Sequence, residues 1–327
     1  AGFYEALEWA PDSKKLSFLD NSRTLYWLDV ESASVTKIAS EPLYGVFPTL
    51  HHAWSPDSKW LAYTIGMRTG FRTAHLFELA SGTSTALTDG LADVSEPVFD
   101  AGGKYLYLAA STDAGPFLTW FSQASADIEQ TNSLYVVVLA QDTPSPLAAE
   151  SDEEEPETDA EGSEDDEEDE DEEGEEEAES VSVRIDFDGL SQRILALPTE
   201  RAFYSSLQAG EAGTLWYLKG EQSAFSADEG GGSGATDLAR FELEEREETT
   251  VLAGCEGFEL AAGGEKVLVR TEEGFFVRPL GDEIDTEEGQ LALDAVQVKI
   301  EPRAEWAQIF DEVWRINRDY FYDPLMH

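Results

Sequence analysis

Three ten-residue stretches, each starting 45 residues after the one before, carry the same pattern. They are Trp9-Ala-Pro-Asp-Ser-Lys-Lys-Leu-Ser-Phe18, Trp54-Ser-Pro-Asp-Ser-Lys-Trp-Leu-Ala-Tyr63 and Phe99-Asp-Ala-Gly-Gly-Lys-Tyr-Leu-Tyr-Leu108. Two weaker copies follow, Leu207 to Tyr217 and Leu260 to Val269, making five. In each copy a large apolar residue ends one strand. Pro-Asp-Ser or a glycine pair then turns the chain, Pro by presetting φ and Gly by permitting positive φ. An alternating apolar stretch follows, the mark of a half-buried strand. Further strands are expected at Leu25–Leu28, Leu76–Leu79 and Leu134–Val138, with a turn at Ser81-Gly82 and a last strand running into Leu87-Thr88. Four short strands per repeat of this length are the signature of a propeller blade. A helical solenoid of similar period would show a 3.6-residue rhythm, and these segments alternate with period two. The matched Trp-x-Pro-Asp-Ser-Lys pair also argues against a β-sandwich with accidental self-similarity. The expected fold is therefore all-β: a β-propeller of about five four-stranded blades over residues 1–285, an incomplete ring whose missing blades lie upstream of Ala1.

The interval from Phe99 to Leu207 is 108 residues, about two blade lengths, with no copy of the motif between. Part of the excess is an acidic run. Of the chain's 69 acidic residues, 22 fall within 150–179, where there is no Lys or Arg. Such a segment buries too little apolar surface to offset the entropy of ordering, so residues 149–180 are expected to be a disordered insertion within the propeller. An interaction tail or cation sponge is the alternative reading. Val181 to Phe187 resumes strand alternation, and Phe187-Asp-Gly189 marks a turn. A second low-complexity stretch, Gly230 to Gly234, lacks the strand and helix of a phosphate loop and reads as a hairpin connection. After an acidic linker the pattern changes. Pro302 stands where a helix can begin. Trp306, Ile309, Phe310, Val313, Trp314, Tyr320 and Phe321 then recur at helical spacing, and Pro324 ends the run. Residues 290–327 are thus a linker and the start of a truncated helical domain, whose apolar stripe needs a partner surface.

Charge narrows the partners. The net charge is −48, and outside the acidic run 47 acidic residues still face 21 basic ones. Nucleic acid and anionic membrane surfaces both need a basic face and are disfavoured. Solubility explains the acidic surface more simply than a salty cytoplasm. With 41% hydrophobic residues the chain can build a core, and no apolar run is long enough to span a bilayer. Ala1 to Trp9 lacks the basic start and apolar stretch of a signal peptide. The repeat begins at once and without Met, which reads as a fragment of a longer protein.

No constellation of catalytic residues is evident. The single cysteine, Cys255, permits no intrachain disulfide and reads as a small buried residue beside a strand. There is no Gly-x-Ser-x-Gly elbow and no His-Glu-x-x-His. His51 and His52 are adjacent, so on a strand they point to opposite faces and cannot converge on one metal. They read as one solvated and one core histidine. His75 and His327 sit at no telling spacing. Asp12 and Asp57 recur at one blade position and are expected to cap turns through nearby backbone. From the residues alone the chain is a scaffold or binding module, with no catalytic, cofactor or metal residue assigned.

The helical segment, Pro302-Arg-Ala-Glu-Trp306-Ala-Gln-Ile-Phe310-Asp-Glu-Val-Trp314-Arg-Ile-Asn-Arg318-Asp-Tyr-Phe-Tyr-Asp-Pro324, resembles the start of the helical domain that follows the second propeller in tricorn proteases. Ser111 to Pro116, Ser133 to Val138, Pro144-Ser-Pro146 with its acidic tail, and Ile185 to Pro198 are similar to that family in the same order. The resemblance implies a large cytoplasmic serine peptidase with two N-terminal propellers, then helical, PDZ-like and catalytic domains. It implies oligopeptide substrates, a propeller that gates or channels them, and a homo-oligomer, a hexamer. No cofactor is implied. The family's catalytic His, late in the helical domain, and its Ser and Glu, in the final domain, have no matching position here. His327 comes too early to be that histidine. A periplasmic TolB-like binding module and the propeller of a prolyl-oligopeptidase-like hydrolase share the blade motif. The helix after the last blade argues against both.

Overall fold

Strand alternation explains the architecture. The computed structural model describes residues 3–42, 50–112, 131–148, 181–220, 236–262 and 264–323. Blade one holds β1 (Tyr4–Trp9), β2 (Lys15–Asp20), β3 (Thr24–Asp29) and β4 (Ser34–Ser40). Blade two holds β5 (His52–Trp54), β6 (Trp60–Gly66), β7 (Arg72–Glu78) and β8 (Thr83–Ala86). Blade three holds β9 (Asp93–Phe99), β10 (Tyr105–Ser111), β11 (Ser133–Val138) and β12 (Ile194–Ala196). Blade four holds β13 (Phe203–Ala209), β14 (Thr214–Gly220), β15 (Thr236–Glu242) and β16 (Glu247–Leu252). Blade five holds β17 (Cys255–Leu260), β18 (Lys266–Thr271) and β19 (Gly274–Pro279). Every blade is an antiparallel meander in chain order. The edge of blade five is continued by residues 289–291, where Val277 N–H donates to Gly289 O at 3.1 Å and Leu291 N–H to Phe275 O at 2.8 Å. Among the described residues, a short 3-10 turn at Leu293–Ala295 and then one α-helix, α1 (Pro302–Tyr320), follow.

Successive side chains leave a strand on opposite faces. Along β10, Leu106 and Leu108 pack toward blade two, while Tyr107 and Ala109 pack toward blade four. Along β14, Leu215 and Tyr217 face blade three, and Trp216 and Leu218 face blade five. Each middle blade is therefore apolar on both faces. Among the described residues the core forms four slabs, one between each pair of successive blades, and none of them joins blade five to blade one.

The interval from Phe99 to Leu207, which holds no further copy of the motif, is one blade that carries its extra chain between β10 and β11 and between β11 and β12. Residues 149–180, expected to be disordered, lie outside the described residues, as do Gly230 to Gly234 and His327. The strands flanking 221–235 do pair as a hairpin, Gly220 opposite Thr236. One expectation is corrected at residues 181–187, which form no strand. They run against the turn of blade three, with Val183 in the core between blades two and three. Gly103, at φ 71°, permits this approach, because a Cβ there would meet Val181 Cγ1 at 2.9 Å. The expected turn at Phe187-Asp-Gly189 is present, with Gly189 at φ 65°. Arg193 pins it by donating to Val138 O at 3.0 Å and Asp188 O at 2.9 Å.

Candidate functional site

The first strands of blades two to five pack beside one another, and β1 joins them through Trp54, whose Nε1–H donates to Glu8 O at 3.3 Å and to Ser17 Oγ at 2.9 Å. These strands are the first of each sheet and stand side by side. Aligned on the strand-end residue (Trp9, Trp54, Phe99, Ala209, Leu260), they present equivalent positions. The position three residues earlier is Ala6, His51, Glu96, Ser206 and Gly257. At Ala6, Glu96 and Ser206 the backbone takes positive φ, 49°, 50° and 56°, and the ladder register breaks there. For a non-glycine residue this costs on the order of 1 kcal/mol, and a bulge of this kind re-aims a side chain.

Glu96 shows what the bulge achieves. Its Oε2 accepts Leu207 N–H at 2.8 Å, reaching from blade three to the inner strand of blade four. Burial raises its pKa, opposed by the Leu207 amide and the Arg72 charge. The residue just before the strand end does similar work elsewhere. Gln208 of blade four donates to Phe258 O at 3.1 Å and accepts Leu260 N–H at 3.0 Å, both in blade five. Glu8 of blade one stands 3.7 Å from His52 Nε2 of blade two. Glu96 and Gln208 thus tie their blades to the next by hydrogen bonds, while Glu8 lies just beyond hydrogen-bond reach of His52.

The first turns form a second ring of ties. Asp12 accepts Lys14 N–H at 2.8 Å, and Asp57 accepts Lys59 N–H at 3.2 Å, the expected turn caps. Each turn also reaches onward. Asp12 N–H donates to Ser58 Oγ at 3.0 Å, Val183 N–H to Asp57 Oδ2 at 3.0 Å, and Gly213 N–H to Asp100 Oδ1 at 2.7 Å. Asp100 also accepts Gly102 N–H at 2.9 Å and Tyr107 O–H at 3.3 Å. Burial still raises its pKa.

The histidines diverge as expected. His52 turns toward blade one and is buried, with a pKa pushed down to about 4 by burial and then by His51. His51 is half-buried rather than open to solvent, which modifies the reading from sequence. Burial, and then the Arg72 charge, push its pKa down to about 4. It sits near the ion pair that joins blades two and three, where Arg72 Nε and Nη2 donate to Asp93 at 2.9 and 2.7 Å. His75 Nε2 contacts Thr73 Oγ1 at 3.0 Å, and its ring stacks on Tyr63. Cys255 is fully buried at the start of β17, where burial raises its thiol pKa. Among the described residues, no group of three or more His, Cys, Asp or Glu is placed to hold a metal ion. No described helix is long and apolar enough to cross a membrane.

The inter-blade contacts of Glu8, Glu96 and Gln208 and the Arg72–Asp93 pair were not singled out from sequence. A signal existed: Glu8, Gln208 and Glu259 recur just before the strand end of three copies, at a place where an apolar strand has no need of a polar residue. The apolar stripe of α1 is exposed as its spacing implied, with Phe310 75% and Trp306 66% accessible. The helix meets the start of blade one at its far end, where Tyr320 and the Arg315 guanidinium lie on Phe3.

Comparison with known proteins places this geometry. The model of the tricorn protease second β-propeller domain matches residues 1–281, and that of the tricorn protease C1 domain matches residues 302–327. Tricorn protease homolog 1 of Streptomyces coelicolor is 30% identical over 97% of this chain and 29% of its own length. A putative tricorn-like protease C-terminal subunit of Sulfurisphaera tokodaii is 20% identical over 99% of this chain and 34% of its own. The chain therefore spans about a third or less of these relatives. The crystal structure of the tricorn protease superposes with a TM-score of 0.72 over 98% of this chain and 29% of that one, at 18% identity.

Proposed function

The chain belongs to the tricorn protease family, and on that footing we propose that it is the non-catalytic propeller portion of a serine peptidase that degrades oligopeptides. Its blades gate or channel peptides toward a catalytic domain that lies outside these 327 residues. The parent acts in the cytoplasm as a homo-oligomer, a hexamer. The observation that carries this reading is the order of the two matches, a second propeller over 1–281 followed directly by the opening of the C1 domain at 302. The inner wall supports it. Glu96 and Gln208 on it are committed to inter-blade hydrogen bonds, which suits a passage rather than an acyl-transfer centre. The exposed stripe of α1 supports it as well, since a C1 domain continues from such a face. Oligopeptide hydrolysis by the purified chain and by the product of the complete gene tests the proposal. Hydrolysis by the complete product alone is expected. Turnover by the 327-residue chain would overturn the non-catalytic assignment.

A further inference from the structure

We propose that the bulge at Ala6–Leu7 of blade one is the receiving half of an inter-blade clasp, and that its Leu7 amide takes a carboxylate from a further blade, carried three residues before that blade's strand end. The inference rests on the propeller reading above and adds to it the chemistry of the partner.

Between blades three and four the clasp is closed. In β13 the ladder passes from Ser205, opposite Leu218, to Gln208, opposite Trp216, so Ser206 and Leu207 share Tyr217. Ser206 takes φ 56°, and the Leu207 N–H donates to Glu96 Oε2 of the preceding blade at 2.8 Å. The Ser206 amide faces the same carboxylate. Two successive N–H groups about a positive-φ residue form a concavity that favours an anion over a neutral acceptor. β1 breaks in the same way. Glu5 stands opposite Leu19 and Glu8 opposite Ser17, so Ala6 and Leu7 share Phe18, with Ala6 at φ 49°. Leu7 is thus the counterpart of Leu207. Among the described residues, no side chain reaches its amide. Leu207 is 6% exposed in the slab between blades three and four, whereas Leu7 is 59% exposed, beside Tyr4 and Trp9 at 57% and 60%. The amide and the apolar surface that blade four buries against blade three are both open on blade one.

The other blades show what the clasp requires. Blade three bulges at Glu96-Pro97, between Ser95 opposite Ala109 and Val98 opposite Tyr107. Pro97 has no N–H to give, and the residue of blade two at the place of Glu96 is His51, not a carboxylate. Donor and acceptor are missing together. Blade five does not answer blade one, because its counterpart of Glu96 is Gly257. An element that buries Leu7 and Trp9 must also satisfy the amide beside them, since a covered amide without an acceptor is costly. A blade that carries Asp or Glu at the place of Glu96 does both, with a charge-assisted bond. The Streptomyces coelicolor relative, 29% of whose length this chain spans, has ample sequence for such a blade.

The test places p-benzoylphenylalanine at Trp9, in the product of the complete gene and in the 327-residue chain, and identifies the photo-cross-linked peptides by mass spectrometry. The complete product is expected to capture a propeller segment outside residues 1–327 that carries Asp or Glu three residues before its strand end. Hydrogen exchange at single-residue resolution then reads the Leu7 amide, in both proteins with Trp9 intact. It is expected to exchange at least about tenfold more slowly in the complete product than in the chain alone, and replacing the captured carboxylate by Ala is expected to restore fast exchange, the loss of one charge-assisted bond. Leu7→Pro, which copies Pro97, is expected to lower the melting temperature of the complete product more than that of the chain. Equal losses in the two would show that the amide serves β1 itself and would overturn the proposal. Capture of residues 255–279 of blade five, or of a blade without a carboxylate at that place, would overturn it too. So would an unprotected Leu7 amide in the complete product, whatever is captured. Each of these failures leaves the peptidase reading standing, because hydrolysis by the complete product decides that separately.

Discussion

Trp9 and Phe99 occupy the same place in blades one and three, the last residue before the first turn, and meet opposite fates. Phe99 is 4% exposed and Trp9 is 60% exposed. Trp54, the blade-two equivalent, is 8% exposed. The reason is directional. A side chain at this position faces the preceding blade: Trp54 packs on Leu19 and Leu25 of blade one, and Phe99 on Leu76 of blade two. Leu7 repeats the lesson, since it is 59% exposed while its equivalents Leu207 and Phe258 are buried against the preceding blade. One sequence pattern thus produces a core residue or a surface residue according to what stands beside it. Apolar patterning reports the capacity to stack, and the neighbour decides whether it is realised.

Substitutions at the paired positions break or sharpen this contrast. The largest effect is expected at Phe99→Ala, about 3–5 kcal/mol, from lost burial and an unfilled cavity. Trp9→Ala in the same chain is expected to cost less than about 1 kcal/mol, as for other exposed sites. Urea midpoints followed by far-ultraviolet circular dichroism measure both, and equal losses would show that Trp9 is covered. The next effect contrasts two turn residues. Asp100→Ala strands Gly213 N–H and Tyr107 O–H, and is expected to cost about 2–3 kcal/mol. Asp12→Ala removes an exposed local cap and is expected to cost about 1 kcal/mol or less. The same denaturation series ranks them.

A third prediction uses pH to separate inner-wall carboxylates from surface ones. Glu96 has its pKa raised above 4.5 on folding, so the native state holds that proton more tightly than the unfolded chain. Its contribution is fully present below 4.5 and is lost as pH rises through the folded value. Asp29, lowered by the Ser32 hydroxyl and amide, has the opposite sign: its contribution is present above 3.8 and is lost as pH falls. Stability of the native chain is therefore expected to fall relative to Glu96→Gln as pH rises above 4.5. A flat difference between the two would mean that Glu96 is solvated. The smallest effect is expected on α1, where Trp306→Ser and Phe310→Ser each change propeller stability by less than about 0.5 kcal/mol. A larger loss would show that the helix packs on the blades.

Much of this fold was legible because its signals are local. The turn residues Pro11-Asp12 and Pro56-Asp57 and the alternation after them placed the first two strands of each blade, and Pro302 placed the start of α1. The signals failed where structure depends on a partner far along the chain. Residues 181–187 alternate like a strand, and Val183 is buried as that pattern demands. Yet Val183 N–H goes to the Asp57 carboxylate and Asp186 N–H to Leu139 O, so no ladder forms. The interval from Phe99 to Leu207 is long because β11 and β12 pair across an insertion, and the motif count of five already left no room for a further blade there. At the candidate site, the divergence of His51 and His52 followed from strand geometry. The partial burial of His51 did not, since it depends on packing around the Arg72–Asp93 pair of blades two and three. Glu96 was hidden because a bulge at positive φ leaves no mark in composition.

The most direct test is hydroxyl-radical footprinting of the intact chain, read by mass spectrometry at Trp9, Trp54 and Phe99. The account predicts rapid oxidation of Trp9 and strong protection of the other two. Protection of Trp9 to the level of Trp54 would contradict it, because the face of blade one would then be covered and the ordered stack of five blades would not be the whole of the packing.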